Sequence, residues 1–229
     1  MNNIFLDLLI LPVSFFSKKI LEPVNLRIPA LIVLVGAVIG AIQGYVMSGL
    51  YARLFSQGDM ASMGLFLKII GAVSGFLGFL IIWWLALSVV LYLVSMFFSG
   101  SGPLKRTIEF AGYALIPVVI GSLVTLALAF YYIPDVSVPA LRSIQDPAVI
   151  QEVMAQLMND PVLMEFTQVS TLISLIFLIW TANILVFAMK YARELNVKHA
   201  VLTVAIPVLV YVIYMVYTIF SGNLIPGGV

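Results

Sequence analysis

The stretch Ile28–Leu50 reads IPALIVLVGAVIGAIQGYVMSGL. It carries no Asp, Glu, Lys or Arg, and it is longer than the roughly 20 apolar residues a helix needs to cross the hydrocarbon core of a bilayer. Four more stretches read the same way: Ile69–Phe98, Phe110–Ile133, Ser170–Met189 and Ala200–Phe220. All five are free of charge in their interiors. Composition agrees, since 63% of the 229 residues are hydrophobic and only 9% charged. A water-soluble domain carries roughly 25% charged residues and cannot hide this much apolar surface. The expected fold class is therefore all-α, a polytopic membrane helix bundle of five transmembrane helices.

Glycines within the first stretch add packing information. Gly36, Gly40, Gly44 and Ser48 recur at a spacing of four, which places them on one helix face. Such a stripe lets another helix approach backbone to backbone, the usual mode of association in lipid. Gly71 and Gly75 in the second stretch, with Gly121 in the third, extend the pattern. Packing within one chain and dimerisation both use such stripes.

The connecting segments set direction. Lys18, Lys19, Arg27, Lys105, Arg106, Lys190, Arg193 and Lys198 fall on one side, against Arg53, Lys68 and Arg142 on the other. Excess Lys and Arg marks the cytoplasmic side. The expected N-terminus is cytoplasmic and the C-terminus outside or lumenal, as an odd number of spans requires. One membrane domain is expected over 1–229. Its parts are a cytoplasmic interfacial segment (1–27), spans one to three (28–133), an outer loop (134–169), spans four and five (170–220) and an outer tail (221–229).

Two segments outside the spans have helical character. Residues 4–16 are too short to cross and are interrupted by Asp7 and Pro12. They read either as a helix lying in the cytoplasmic interface or as an apolar segment packed under the bundle. They lack the basic leader and the small-residue cleavage pattern of a signal peptide. In the outer loop, Asp146-Pro147 and Asp160-Pro161 look like helix starts, because Asp caps free N–H groups and Pro suits the first helical turn. The first predicts an amphipathic helix with Val149, Ile150, Val153, Met154, Leu157 and Met158 on one face. The second predicts a helix running straight from Pro161 into the fourth span.

Chemistry-bearing residues are sparse. There is no Cys, a single His (His199) and no cluster with metal-ligand spacing. No nucleophile stands with a base, so no catalytic residue, cofactor or metal is expected. The net charge of +1 offers nothing to nucleic acid. The polar intramembrane candidates are Gln43 and Asn183, whose amides need partners in lipid. Pro117 and Pro207 lie inside spans, where each frees a carbonyl.

The approach to the third span reads GPLKRTIEFAGYALIP, Gly102–Pro117. Gly112-Tyr113, followed three residues later by Pro117, resembles the Gly-Tyr…Pro signature of the Yip family, membrane proteins named for interaction with Ypt/Rab GTPases. The opening Leu11-Pro12…Phe15-Phe16 is similar to the start of prokaryotic members. The resemblance implies five spans, a cytoplasmic N-terminus and a prokaryotic-type member with no assigned molecular activity. The long N-terminal region of eukaryotic members, with its Asp-Tyr-Gly-Pro-like element, has no counterpart here, which argues against GTPase binding. Lys105, Arg106, Glu109, Gly112, Tyr113 and Pro117 form the candidate partner- or lipid-binding niche at the inner leaflet.

The expected function is a non-enzymatic scaffold that binds partners or organises membrane. The alternative is a small transporter or channel for a neutral or lipid-like solute. Expected partners are membrane lipids together with a second copy of the chain or another membrane protein.

Overall fold

The computed structural model describes residues 4–54, 61–139 and 147–220. Among them every regular element is helical. Helices α1 (Ile4–Ile10) and α2 (Pro12–Lys19) precede α3 (Arg27–Leu54). Helix α4 (Ala61–Gly78) continues through a π-helical stretch, Phe79–Ala86, into α5 (Leu87–Met96). Helices α6 (Leu104–Ala114) and α7 (Ile116–Tyr132) follow, then α8 (Pro147–Met158), α9 (Pro161–Ala192) and α10 (Val197–Phe220).

Five helical runs are long and apolar enough to cross a membrane: Arg27–Leu54, Met63–Met96, Leu104–Asp135, Pro161–Ala192 and Val197–Tyr214. They coincide with the five expected spans. Their outward faces are apolar, with Leu31, Ile82, Ile176 and Ile213 each more than 60% exposed. In water that surface would be prohibitive; in lipid it is the solvated surface. The chain is an integral, multi-pass membrane protein.

The chain packs as two compact units. One comprises Met1–Val33, Ile82–Pro117 and Leu178–Val229; the other comprises Leu34–Ile81 and Val118–Phe177.

The second unit is built on the glycine stripe. A Cβ on Gly40 would lie 2.8 Å from the Gly75 carbonyl oxygen, and one on Gly71 would lie 2.5 Å from that of Gly44. Gly36 receives the Phe79 ring, and Ser48 sits against Gly71. The order is antiparallel, so α3 and α4 meet backbone to backbone and the stripe is used within the chain. Gly121 likewise makes room for the Phe177 ring.

The connection between α7 and α9 closes the same unit. Asp160 caps α9, its Oδ1 accepting from Val162 N–H and Leu163 N–H at 3.0 Å each, while Oδ2 accepts from Ser137 N–H at 3.1 Å. This is the Asp-Pro start read from sequence, and α9 does run unbroken from Pro161. Helix α8 buries Val153 and Leu157, half-buries Val149, Ile150, Met154 and Met158, and exposes Gln151, Glu152 and Gln156. Its apolar face joins Leu50, Leu54, Ala129, Ile133 and Phe166 in one cluster. The other Asp-Pro start and Arg142 involve residues outside those described, as does the 221–229 tail.

In the first unit the N-terminal segment is two helices broken at Leu11-Pro12. Leu8 and Phe16 are fully buried in the core cluster, whereas Leu6, Ile10, Leu11 and Val13 are exposed. One apolar face packs on the protein and the other remains outward.

Candidate functional site

The niche around the signature is assembled from α6, the N-terminal helices and the connection between α2 and α3. Arg106 and Glu109 stand three residues apart, so they share a face of α6. Their ion pair spans 2.8 Å, and Glu109 is fully buried. Each partner then reaches the α2–α3 connection. Arg106 Nη2 donates to the Glu22 carbonyl at 2.6 Å and Nη1 to the Lys19 carbonyl at 3.5 Å. Glu109 Oε1 accepts from Asn25 N–H at 3.2 Å. A buried carboxylate and guanidinium satisfy one another and pin a loop that has no regular structure of its own.

Aromatic rings surround the pair. Phe15 meets the Tyr113 ring edge-on at 5.2 Å between centroids, and Phe16 meets Phe110 at 4.8 Å. Lys19 Nζ lies 5.8 Å from the Tyr113 centroid and forms a 2.6 Å ion pair with Glu22. Partial burial works against the Lys19 charge. The hydrogen bond to Glu22 and the potentials of Tyr113, Glu22 and Glu109 outweigh it and raise its pKa above the usual lysine value.

Gly112 is a site of close approach. A Cβ there would fall 2.7 Å from Pro29 Cβ and 2.9 Å from Trp84 Nε1. Trp84 Nε1 donates to the Ile108 carbonyl at 2.9 Å, one turn earlier on α6. The signature glycine therefore admits α3 and the π-helical stretch against α6. Pro117 takes the second position of α7, just past the break at Leu115. Of the six niche residues, Lys105 alone is exposed; Arg106, Glu109, Gly112, Tyr113 and Pro117 are buried. The expectation placed a headgroup or an acidic partner among them. Structurally, Arg106 and Glu109 supply each other's counter-charge, and the surface left open is basic: Lys18, Arg27 and Lys105.

Of the other sequence candidates, Gln43 is half-buried on α3, and Asn183 is exposed on α9. The His199 ring stacks on Phe98 at 5.3 Å, and the His199 backbone N–H donates to Asn196 Oδ1 at 2.8 Å, which caps α10. It is held as a helix-start residue.

Arg193 is the residue whose role sequence reading missed. It is 2% exposed, and its guanidinium fills the loop between α5 and α6. Nε donates to Ser95 Oγ at 2.8 Å, Nη2 to the Gly100 carbonyl at 2.5 Å, and Nη1 to the carbonyls of Ser101, at 2.9 Å, and Gly102. The plane lies over Tyr92, 4.1 Å from its centroid. Gly102, at φ +68°, packs against the Ala192 carbonyl where no Cβ would fit. One planar donor thus replaces the hydrogen bonds that the loop carbonyls would otherwise make to water. Only the glycines of Ser99-Gly100-Ser101-Gly102 hinted that the loop turns tightly.

A prediction follows for that loop. Hydrogen bonds to a charged donor contribute about 1.5–3 kcal/mol each. Arg193→Met should raise the opening equilibrium of the loop on the order of tenfold or more, as 1.4 kcal/mol is a factor of ten. Limited chymotrypsin digestion at Phe97 and Phe98 should accelerate accordingly, with Arg193→Lys intermediate. Unchanged cleavage in Arg193→Met would refute the role.

Comparison with known proteins places this chain in a family. The chain is 33% identical over 131 residues to the uncharacterized protein MJ0794 of Methanocaldococcus jannaschii, covering 57% of this chain and 91% of that one. No solved structure matches it. The family model described as the Yip1 domain matches residues 6–219, from α1 to the last turn of α10 and with Gly112, Tyr113 and Pro117 inside it, so the chain belongs to the Yip1 domain family.

Proposed function

We propose that this Yip1-domain protein is a non-enzymatic membrane scaffold that binds a partner's transmembrane helix through the face of α9 carrying Asn183. The observation behind this reading is the position of that amide. Asn183 is exposed and makes no hydrogen bond among the described residues. It lies about 13 Å along α9 from Ala192 at 1.5 Å per residue, well inside the spanning segment. Ile179, on the same face one turn earlier, is 67% exposed. Lipid offers an amide nothing to bond to, whereas an amide or carbonyl on a neighbouring helix contributes about 1–2 kcal/mol.

A second copy of this chain is the partner that the geometry favours, because a two-fold axis would bring Asn183 against its own equivalent. The membrane around it is a prokaryotic cell membrane, a placement supported by the archaeal relative. The excess of Lys and Arg on the side of Lys18 and Lys105 supports a cytoplasmic N-terminus. Lys18, Arg27 and Lys105 are suited to lipid phosphates there.

The chain has no Cys, so single cysteines report cleanly. Ile179→Cys in native membranes should give an oxidant-dependent dimer, and Asn183→Leu should remove most of it. A benzophenone at the same position would instead capture a different protein if the partner is not a second copy. Neither product forming would sink the proposal. For orientation, single cysteines at Ser101 and Asn196 should resist impermeant reagents in intact cells; labelling of both would reverse the topology.

A further inference from the structure

We infer that the N-terminal helices carry Asp7 into the hydrocarbon layer as a counter-charge for the transmembrane helix of a different protein, one that bears a Lys or Arg near mid-membrane. The inference does not rest on the docking face of α9.

Contacts within the first unit give the depth of α1 and α2. Read backwards from Lys19, α2 descends along α6. The Lys19 carbonyl accepts from Arg106, Phe16 packs on Phe110, and Phe15 packs on Tyr113. Helix α1 continues that descent. Leu11 N–H donates to the Asp7 carbonyl at 2.8 Å and Phe15 N–H to the Leu11 carbonyl at 3.1 Å, so the break at Leu11-Pro12 bends the path without reversing it. Lower still, the Leu9 carbonyl accepts from Trp180 Nε1 at 3.3 Å. Trp180 lies about 18 Å along α9 from Ala192 at 1.5 Å per residue. Side chains on a helix lean toward its N-terminus, which for α9 is the opposite end, so this contact is no shallower than the Trp180 backbone. A hydrocarbon core is about 30 Å thick. Leu9 therefore lies near its middle, and Asp7, in the same turn of α1, lies at comparable depth.

Asp7 is on the outward face there. Residues three and four apart share a helix face, and Ile10 and Leu11 are both exposed, whereas Leu8 is fully buried in the core cluster. The Asp7 carboxylate makes no hydrogen bond or ion pair among the described residues. The nearby lysines do not serve it. Lys18 stands about 16 Å up the segment at 1.5 Å per residue, and Lys19 is paired with Glu22. Lipid tails offer a carboxylate neither donor nor cation. An ionisable residue at this depth is costly, and pairing is what retains it. Packing does not call for it either, since Ile10 and Leu11 show that the same face accepts apolar side chains.

Charge and depth together select the occupant. The cationic groups of phospholipids lie with the headgroups, out of reach of Asp7. The five apolar stretches of this chain hold no Lys or Arg, so a second copy has no cation to offer at that level. A neighbouring helix with one basic residue at mid-span meets both conditions.

The test places the full-length protein in nanodiscs with synthetic transmembrane peptides, Leu-Ala helices of about 20 residues. One carries a single Lys at its centre, one has Leu there, and one has the Lys moved to its end. A donor dye on Leu21→Cys, an exposed position in a chain without Cys, reports binding by energy transfer to an acceptor on the peptide. The central-Lys peptide should bind about tenfold or more tightly than the Leu peptide, the lower end of what a close charge pair supplies. Asp7→Asn keeps the side-chain shape and leaves Leu8 and Phe16 packed, and it should abolish that advantage while the Leu peptide binds as before. Asp7→Glu should retain the preference, and so should Asn183→Leu, which separates this surface from the face of α9. Equal binding of the central-Lys and Leu peptides would overturn the inference, as would a Lys preference that survives Asp7→Asn. An end-placed Lys that binds as tightly as the central one would put Asp7 at the membrane surface and overturn it as well.

Discussion

Gly75→Leu is expected to leave no monodisperse folded protein in detergent, and Gly75→Ala to lower the thermal midpoint by on the order of 3–10 °C. The cause is the α3–α4 crossing, where a Cβ on Gly75 points at the Gly40 carbonyl and one on Gly40 would lie 2.8 Å from the Gly75 carbonyl. Backbone cannot rotate aside as a side chain can, so the helices must separate. Overpacking of this kind costs about 1–3 kcal/mol for a small group, and each kcal/mol shifts the midpoint by roughly 2–4 °C at this chain length. Separation also forfeits the contacts of Gly44 with Gly71 and of Gly36 with Phe79, which share the register. Gly78, on the same helix, is the internal control. Nothing lies within 4 Å of a Cβ built there. Gly78→Ala should be neutral or slightly stabilising, because alanine is the better helix former by up to about 1 kcal/mol. Equal midpoints for Gly75→Ala and Gly78→Ala would remove the crossing as an explanation.

The crossing also shows what the sequence makes legible. A glycine stripe is a local pattern, and its meaning, close helix approach, holds whichever helix answers. The spacing on α3 and the pair on α4 pointed to close approach without naming the partner, and the structure brings these two helices together there. Helix α8 was legible for the same reason, since a period of 3.6 separates Val153 and Leu157 from Gln151 and Gln156. The π-helical stretch Phe79–Ala86 was not. Its sequence, FLIIWWLA, is apolar on every side, so no periodicity distinguishes π from α geometry. Arg193 was counted only for its charge, because its partners are loop carbonyls more than 90 residues away in sequence. The niche lay between these cases. The spacing of Arg106 and Glu109 is plain, but their burial depends on the α2–α3 connection folding over them. The helix itself begins at Leu104, six residues before the apolar stretch Phe110–Ile133 read as the third span. Paired charges can enter a helix end that unpaired ones could not.

Breaking that pair is expected to be the other severe lesion. Glu109→Gln leaves the Arg106 guanidinium, which is 9% exposed, without its counter-charge. Removing one partner of a buried ion pair costs about 3–5 kcal/mol, because the remaining charge is stranded. Arg106→Met should cost a similar amount by stranding the fully buried carboxylate. Each should lower the thermal midpoint by on the order of 6–20 °C at roughly 2–4 °C per kcal/mol. The double variant Arg106→Met/Glu109→Leu carries no stranded charge and should recover a large part of the loss, since apolar replacements of buried pairs are often neutral. The double-mutant cycle then isolates the coupling. A second readout separates stability from loop pinning. Arg106 also holds the Lys19 and Glu22 carbonyls, and Glu109 holds Asn25 N–H. Those bonds are lost in the double variant as in the singles. Tryptic cleavage at Lys18 and Lys19 should therefore stay fast in the double variant even where the midpoint has recovered. If cleavage slows along with the recovery of the midpoint, the pair acts on the helix alone and does not anchor the connection.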